Sequence, residues 1–437
     1  MSTILWLCPS HRDHREISIL GIDRRHRILF HDYASIELER MVAPEPVSMP
    51  VADVEEEIGR ITDRFGTRGV EAVVSTDDYP GSTLAAIAAE KLGLAGVSPG
   101  ANLLCQHKYH CRSAQRAVVP SAVPAFESLT GDGPTGMDFP LFIKPIKSFF
   151  SVGAYRVDAP EQLPERLRRA TLPERFFDPM RVPFERYTGL RFGDGRVIAE
   201  ELLGGVQATV EGYAFNGEVC IFGIVDSVMF PGTFAFRRFD YPSGLPESVQ
   251  GRMKDIAEKV MHGIGFDNGV FNIEFMYDDR RDRVHIIEIN PRMASQFSDL
   301  YEKVDGWNSY EALIDLALGR KPSVRRGGGR HRMAASCVLR TFEDRKVLRV
   351  PSPEDVAGVL ERYPDARIEI LATVGENLSE EMQDGESYRY GVVSLGGRDI
   401  PDILETLDEC CRRLDFVLGA TSDATSHEGR RSAGASS

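Results

Sequence analysis

The run Ile286-Ile287-Glu288-Ile289-Asn290-Pro291-Arg292 has the apolar density of a buried strand, yet it carries an acid, an amide and a guanidinium. Alternation along an extended chain puts Glu288, Asn290 and Arg292 on one face and Ile287 and Ile289 on the other. Charges taken out of water without partners are strongly disfavoured, so the polar face is expected to meet a cation, an anion or a solvent-filled cleft.

A second acid stands upstream. In Phe271-Asn272-Ile273-Glu274-Phe275 the glutamate opposes Ile273 and Phe275, and the polar stretch from Asp278 to Arg283 reads as a hairpin turn. Such a hairpin sets Glu274, Glu288 and Asn290 side by side. Hard divalent cations such as Mg²⁺ or Mn²⁺ take carboxylate and amide oxygens and share their remaining positions with phosphates and water. The plainer alternative is a pair of strand acids satisfied by neighbouring arginines. Asn290 and Arg292 in register with the acids favour the metal.

The rest of the chain sets the context. At 437 residues with 42% hydrophobic content it is expected to form several domains with real cores. A formal net charge of -14 argues against a nucleic-acid backbone or an anionic membrane as partner. Any phosphate it handles must be held by a few local cations. Seven scattered cysteines without a CxxC pair fit reduced thiols, and no apolar run reaches ~18 residues. A soluble cytoplasmic protein is the expectation, with the oligomeric state left open and a homodimer among the alternatives.

Apolar runs alternate with amphipathic stretches at the start: residues 4–8, then 54–66, 70–75 and 83–93. That alternation predicts an open parallel sheet with helices over residues 1–104. A helical stretch from Pro99 leads into an α+β unit over 105–322, beginning with the strand that ends in Lys144. A basic Gly-rich linker (323–332), a smaller α+β unit (333–419) and a polar, disordered tail (420–437) complete the expected layout.

Phosphate recognition must work without the two commonest motifs, because neither GxxxxGK[ST] nor GxGxxG occurs. What remains are isolated lysines: Lys108 in a helix and Lys144 at a strand end.

The order of these features resembles the ATP-grasp superfamily, and is most similar to its carboxylate–amine ligases, with biotin carboxylases and carbamoyl-phosphate synthases as relatives. The resemblance rests on Lys108, FPLFIKP with Lys144, AEELLGG followed by VEGYAF, GVFNIEF and IIEINPR, and spans roughly residues 100–320. It implies an ATP-grasp fold between a Rossmann-like N-terminal domain and a small C-terminal α+β domain. It also implies ATP and Mg²⁺ as cofactors, and a small carboxylate and an amine as substrates. By the same resemblance Lys108 and Lys144 contact the nucleotide phosphates, and Glu200, Glu201, Leu202 and Leu203 form the hinge that reads adenine. Gln207 or Glu211 lies near the ribose or triphosphate, and Glu274, Glu288 and Asn290 hold the metals. Arg292 faces the transferred phosphoryl group.

Two departures narrow the reading. The loop after Lys144 has one glycine where the family has several, leaving Ser148, Ser151 and backbone amides to cover the phosphates. Biotin carboxylases place a glutamate four residues after the arginine as bicarbonate's base, whereas this chain has Gln296, and no Met-Lys-Met biotinylation motif occurs. Carboxyphosphate chemistry is therefore the alternative, and a non-catalytic ATP-binding regulator is another.

The loop from Met229 to Gly244 is a candidate for substrate contact: Arg237 and Arg238 to pair with an acid, and Phe230, Phe234, Phe236 and Phe239 as walls. His11 and His14 are read as two histidines of a polar loop rather than a metal pair, and the Arg/Gly-rich stretch near 325–332 as a flexible linker rather than an RNA contact.

Overall fold

The computed structural model describes residues 1–32, 54–129, 136–148, 152–172, 174–380 and 387–420. Ser151 and the tail beyond Ala420 lie outside them. Among the described residues no helix is long and apolar enough to cross a membrane.

Chain alternation at the N-terminus produces a parallel sheet in the order β2-β1-β3, from β1 (Thr3–Leu7), β2 (Arg27–His31) and β3 (Ala72–Val74). β1 is nearly all apolar because both its faces are covered. Leu5 and Leu7 pack with the helix Val54–Phe65, while Ile4 and Trp6 join the core that includes Tyr310.

A four-stranded antiparallel sheet follows, in the order β4-β7-β5-β6: β4 (Phe126–Leu129), β7 (Val197–Glu201), β5 (Leu141–Pro145) and β6 (Tyr155–Val157). The helices Pro99–Gln106 and Lys108–Val118 lead into it. The expected single helix is thus broken at His107, whose extended backbone and imidazole cap the second segment at the amide of His110.

The largest sheet is antiparallel, with eight strands in the order β12-β11-β8-β9-β10-β13-β16-β15. Its members are β8 (Val206–Phe215), β9 (Glu218–Met229), β10 (Phe236–Tyr241), β11 (Gly269–Asp278), β12 (Arg283–Asn290), β13 (Met333–Thr341), β15 (Arg367–Ile370) and β16 (Tyr388–Gly397). β14 (Arg345–Arg349) and β17 (Val417–Ala420) form a separate pair. Because β10 pairs with β13, the C-terminal unit shares one sheet with the segment before the Gly-rich stretch.

That stretch is packed against the protein. Gly327 donates to the Asp305 carboxylate (2.8 Å), Gly329 to Val304 O (3.0 Å) and His331 to Lys303 O (3.0 Å). A Cβ at Gly329 would stand 2.2 Å from Lys303 O, so this glycine serves close approach to the helix Ser298–Asp305 rather than flexibility.

The polar stretch at His11 also differs from expectation: it is a helix, His11–Ile19, started by a reciprocal Ser10–Asp13 capping box. Its buried face carries two charges, Asp13 and Glu16, beside Ile17. Asp13 accepts from Tyr310 (2.6 Å) and Thr76 (2.7 Å), and Glu16 pairs with Arg15 (2.9 Å).

Candidate active site

The opening hairpin forms with a defect that matters. Asn290 faces Asn272, Ile289 faces Ile273 and Glu288 faces Glu274, but Phe275 pairs with Ile286, so Ile287 is the extra residue of a bulge. The simple alternation is corrected accordingly. Ile286 and Ile289 both enter the core with Phe271, Ile273 and Phe275, whereas Ile287 is half-buried. The bulge turns the Ile287 carbonyl toward two cations, Arg112 Nη2 at 2.7 Å and Lys144 Nζ at 3.3 Å.

Register across three strands lays polar groups in rows. Glu211 of β8, Asn272 of β11 and Asn290 of β12 align in one row, and Thr209, Glu274 and Glu288 in the next. The opposite faces pack Ala208, Val210, Ile273 and Ile289 against Met253, Ala257 and Val260 of the helix Glu247–Gly263. Glu274 accepts from Gln207 (3.0 Å) and, weakly, from Asn290 (3.4 Å). Burial first, and then the Glu288 charge, raise the Glu274 carboxyl to about 7. For Glu288 the same burial is outweighed by Lys108 and Lys144, and its pKa is lowered.

The two predicted lysines reach this face from different elements. Lys108 begins the helix Lys108–Val118, its amide bonded to Ile146 O (2.8 Å) and its Nζ 2.7 Å from Glu288 Oε1. Lys144 on β5 pairs with Glu200 on β7 at 2.8 Å. One helical turn beyond Lys108, Arg112 binds the other Glu200 oxygen at 2.6 Å, where i,i+4 spacing keeps both cations on one face. Burial would raise Glu200, but Arg112 and Lys144 outweigh it and bring it down to about 2. The Glu200 side chain is thus an anchor between elements, while Glu201, Leu202 and Leu203 are half-buried in the passage from β7 to β8. Ser148 Oγ donates to Val152 O (2.6 Å).

Three predicted residues take other places. Glu211 is fully buried, accepting from the Ala294 amide (2.5 Å) and the Tyr301 hydroxyl (2.7 Å). Both its oxygens are used inside the protein, which corrects the expected contact with ribose or triphosphate. Arg237 and Arg238, expected to pair with an acid of the substrate, are neighbours on β10. Arg238 is held by Asp240 at 2.9 Å, and Arg237 is exposed, 5.9 Å from the centroid of Phe230.

Arg292 follows β12 and donates to Met293 O (3.2 Å). Its charge bears on Glu211, Glu274, Asp77 and Asp78. The loop behind it is tied from three directions: Ala294 to Glu211, Ser295 Oγ to Arg12 of the first helix (3.0 Å), and Gln296 to Ser336 of β13 (3.0 Å). Sequence reasoning missed Arg112, whose signal was its spacing from Lys108. It also missed Lys147, 2% exposed and 3.0 Å from Asp78, and the Asp77–Asp78 turn.

Among the described residues no three His, Cys, Asp or Glu side chains converge on one point. A Mg²⁺ that relies on one or two carboxylates plus phosphate oxygens and water does not require such a cage. Glu274 and Glu288 paired directly across the hairpin are the observation that fits a dication, because a positive charge there relieves their repulsion.

Comparison with known proteins agrees with this geometry. Residues 137–299 match the family model described as ATP-grasp domain. The carbamoyl phosphate synthase large chain, C-terminal section, of Methanopyrus kandleri is 28% identical over 241 residues, 51% of this chain and 43% of that one. The chain therefore spans less than half the length of that curated relative. Among solved structures, an L-amino acid ligase from Bacillus licheniformis superposes with a TM-score of 0.72 at 16% identity, covering 95% of this chain and 98% of the other. The biotin carboxylase domain of Hydrogenobacter thermophilus 2-oxoglutarate carboxylase, solved with MgADP and bicarbonate, gives 0.62 at 14% identity, covering 95% and 90%. Residues 137–299, which hold β5–β12, are thus an ATP-grasp domain of this chain.

Proposed function

We propose that the protein is an ATP-dependent carboxylate–amine ligase, which activates a carboxylate as an acyl phosphate, couples it to an amine and releases ADP and phosphate. The observation that carries this reading is the convergence of Lys108 and Lys144 on the Glu274–Glu288 face, with Arg292 fixed beside it by a loop anchored from three sides. The likeness to an L-amino acid ligase over 95% of the chain supports amino acids as acid and amine.

A carboxylate and ATP are both anions, and the residues here answer that repulsion. Lys108 and Lys144 bind the triphosphate, and Arg292 meets the phosphoryl group as it moves to the acid, a form of electrostatic help generally worth about 3 kcal/mol per donor. Glu274, Glu288 and Asn290 would hold Mg²⁺, with Gln207 fixing Glu274. When bound, the ion neutralises phosphate charge and orients the γ-phosphate for in-line transfer. The backbone of Glu201–Leu203 reads adenine, with Ser148 at the phosphate side and Ser151 outside the described residues. Glu200 and Glu211 act through other groups: Glu200 fixes Lys144 and Arg112, and Glu211 fixes the Arg292 loop. Free cysteines throughout the described chain support a reducing, cytoplasmic setting.

The test is ADP release from Mg-ATP with amino acids and other small carboxylates, singly and in pairs, with and without bicarbonate, alongside Glu288→Gln. Turnover that needs an acid plus an amine and disappears in the variant supports the ligase. Turnover on bicarbonate alone overturns it in favour of carboxyphosphate formation. Gln296 speaks against that outcome, since its amide donates to Ser336 and cannot take a proton.

A further inference from the structure

The turn Thr76–Ser82 leaves the carboxyl end of β3 and brings two adjacent acids to the Arg292 side of the cleft. They differ in how far the protein satisfies them. Asp78 is fully engaged, Oδ2 by Lys147 (3.0 Å) and Oδ1 by Gln106 (3.0 Å). Asp77 uses only Oδ2, which accepts from the Gly81 amide at 2.8 Å, and its Oδ1 has no hydrogen-bond partner among the described residues. The residue as a whole is half-buried. A Cβ at Gly81 would lie 2.7 Å from Asp77 Cβ and 2.8 Å from Oδ2, so the turn closes on the acid only with glycine there.

Attack on an acyl phosphate needs a neutral amine, whereas an alkylamine at neutral pH carries a proton that must leave first. The carboxylates near Arg292 are otherwise committed: Glu211 to Ala294 and Tyr301, Asp78 to Lys147 and Gln106, and Glu274 and Glu288 to the metal face. Resting on the ligase reading, we propose that Asp77 receives the ammonium group of the acceptor and takes its proton as the amine attacks. The acceptor is therefore a protonated primary amine, amino acids included. In the step, one N–H proton passes to Asp77 and the nitrogen lone pair forms the C–N bond. The C–O bond to phosphate breaks with its electron pair on the leaving group, and the second proton leaves with phosphate. The groups that bear on Asp77 suit this role. Burial and then Asp78 raise its carboxyl, Gly81, Arg292 and Lys147 lower it, and the net value is about 6, suited to a base near neutrality.

Hydroxylamine separates the two halves of the reaction, because it is a largely neutral nucleophile that traps an acyl phosphate as a hydroxamate without needing a base. The twenty common L-amino acids, offered as acids with Mg-ATP, are assayed first with hydroxylamine and then with a second amino acid as acceptor. Asp77→Asn is expected to form hydroxamate within about twofold of the unaltered protein. Coupling to the amino acid is expected to fall on the order of 10²-fold, with part of it restored in Asp77→Glu. Equal coupling in Asp77→Asn overturns the proposal, and so does an equal loss of hydroxamate and coupling. No hydroxamate from the unaltered protein with any acid is a separate result, which removes the ligase reading and the proposal with it.

Discussion

Lys108 Nζ lies 2.7 Å from Glu288 Oε1, so an ammonium group is paired with the carboxylate that faces Glu274 across the hairpin. The pair is partly open to the cleft, with side chains 9% and 25% exposed. Burial would lower Lys108, but Glu288 outweighs it and the pKa is raised. Lys108→Met removes the ion-pair partner of Glu288 and leaves that carboxylate facing Glu274. The expected loss is about 1–3 kcal/mol in urea unfolding, below the range for fully buried pairs because solvent screens this one. Mg²⁺ should then raise the melting temperature of Lys108→Met more than that of the unaltered protein. An equal rise in both would show that Glu288 is not part of the metal site.

Glu211 gives a pH signature. Its carboxyl is raised from 4.5 to about 7 by burial, so between those values the folded chain keeps a proton that the unfolded chain has released. The stability associated with that difference is fully present below about pH 4.5 and is lost as pH rises through 7, a swing on the order of 3 kcal/mol. Urea midpoints at pH 5.5 and 7.5 should therefore diverge less in Glu211→Gln than in the unaltered protein. The amide cannot accept both existing donors as the carboxylate does, so the Ala294 turn loosens. The variant is also expected to lose about tenfold or more in kcat with little change in ATP affinity.

What the sequence made legible follows from periodicity. The strand pair around Glu274 and Glu288 stood out because polar residues interrupt apolar alternation at register-matched positions, and Lys144 because it closes an apolar strand; that Lys108 starts a helix was hidden in the helical stretch running on from Pro99. The bulge at Ile287 was hidden, since one extra residue leaves no mark in a run of isoleucines. The helix from His11 was hidden for the opposite reason: Asp13 and Glu16 lie on its buried face, and their partners Tyr310 and Arg367 lie about 300 and 350 residues away in the sequence. Glu211 looked like one more cleft acid because only tertiary packing shows Tyr301 and Ala294 closing over it. The glycines of 327–329 read as flexibility for the same reason, since the carbonyls they approach belong to another helix.

Arg12 tests whether the N-terminal and C-terminal units jointly hold the loop that follows Arg292. Its guanidinium grips Glu369 of β15 through two bonds of 2.7 and 2.6 Å and reaches Ser295 three residues past Arg292. Arg12→Met removes both ties while keeping the aliphatic stem. About a tenfold loss of kcat is expected, with a destabilisation of about 1–3 kcal/mol that leaves the fold intact at 25 °C. Ser295→Ala removes only the loop contact and should reproduce part of the kcat loss without the stability change. A kcat unaffected in both would mean that Glu211 and Ser336 suffice to hold the loop.

Phe234, 49% exposed, sits at the tip of the loop between β9 and β10 with its ring 5.6 Å from that of Phe142 on β5, two residues before Lys144. The contact crosses from the large sheet to the small one, over the cleft in which ATP is expected. An edge-on aromatic pair contributes about 0.5–1.5 kcal/mol, so Phe234→Ala should weaken closure by roughly two- to tenfold without affecting the core. Because opening releases nucleotide, the expected readout is a faster dissociation of a fluorescent ATP analogue in stopped flow, with unchanged urea stability. Phe234→Leu keeps apolar area but not the ring geometry and should fall between. If dissociation is unchanged in Phe234→Ala, the loop is a surface flap that does not gate the site, and nucleotide retention is to be sought at Lys108 and Lys144.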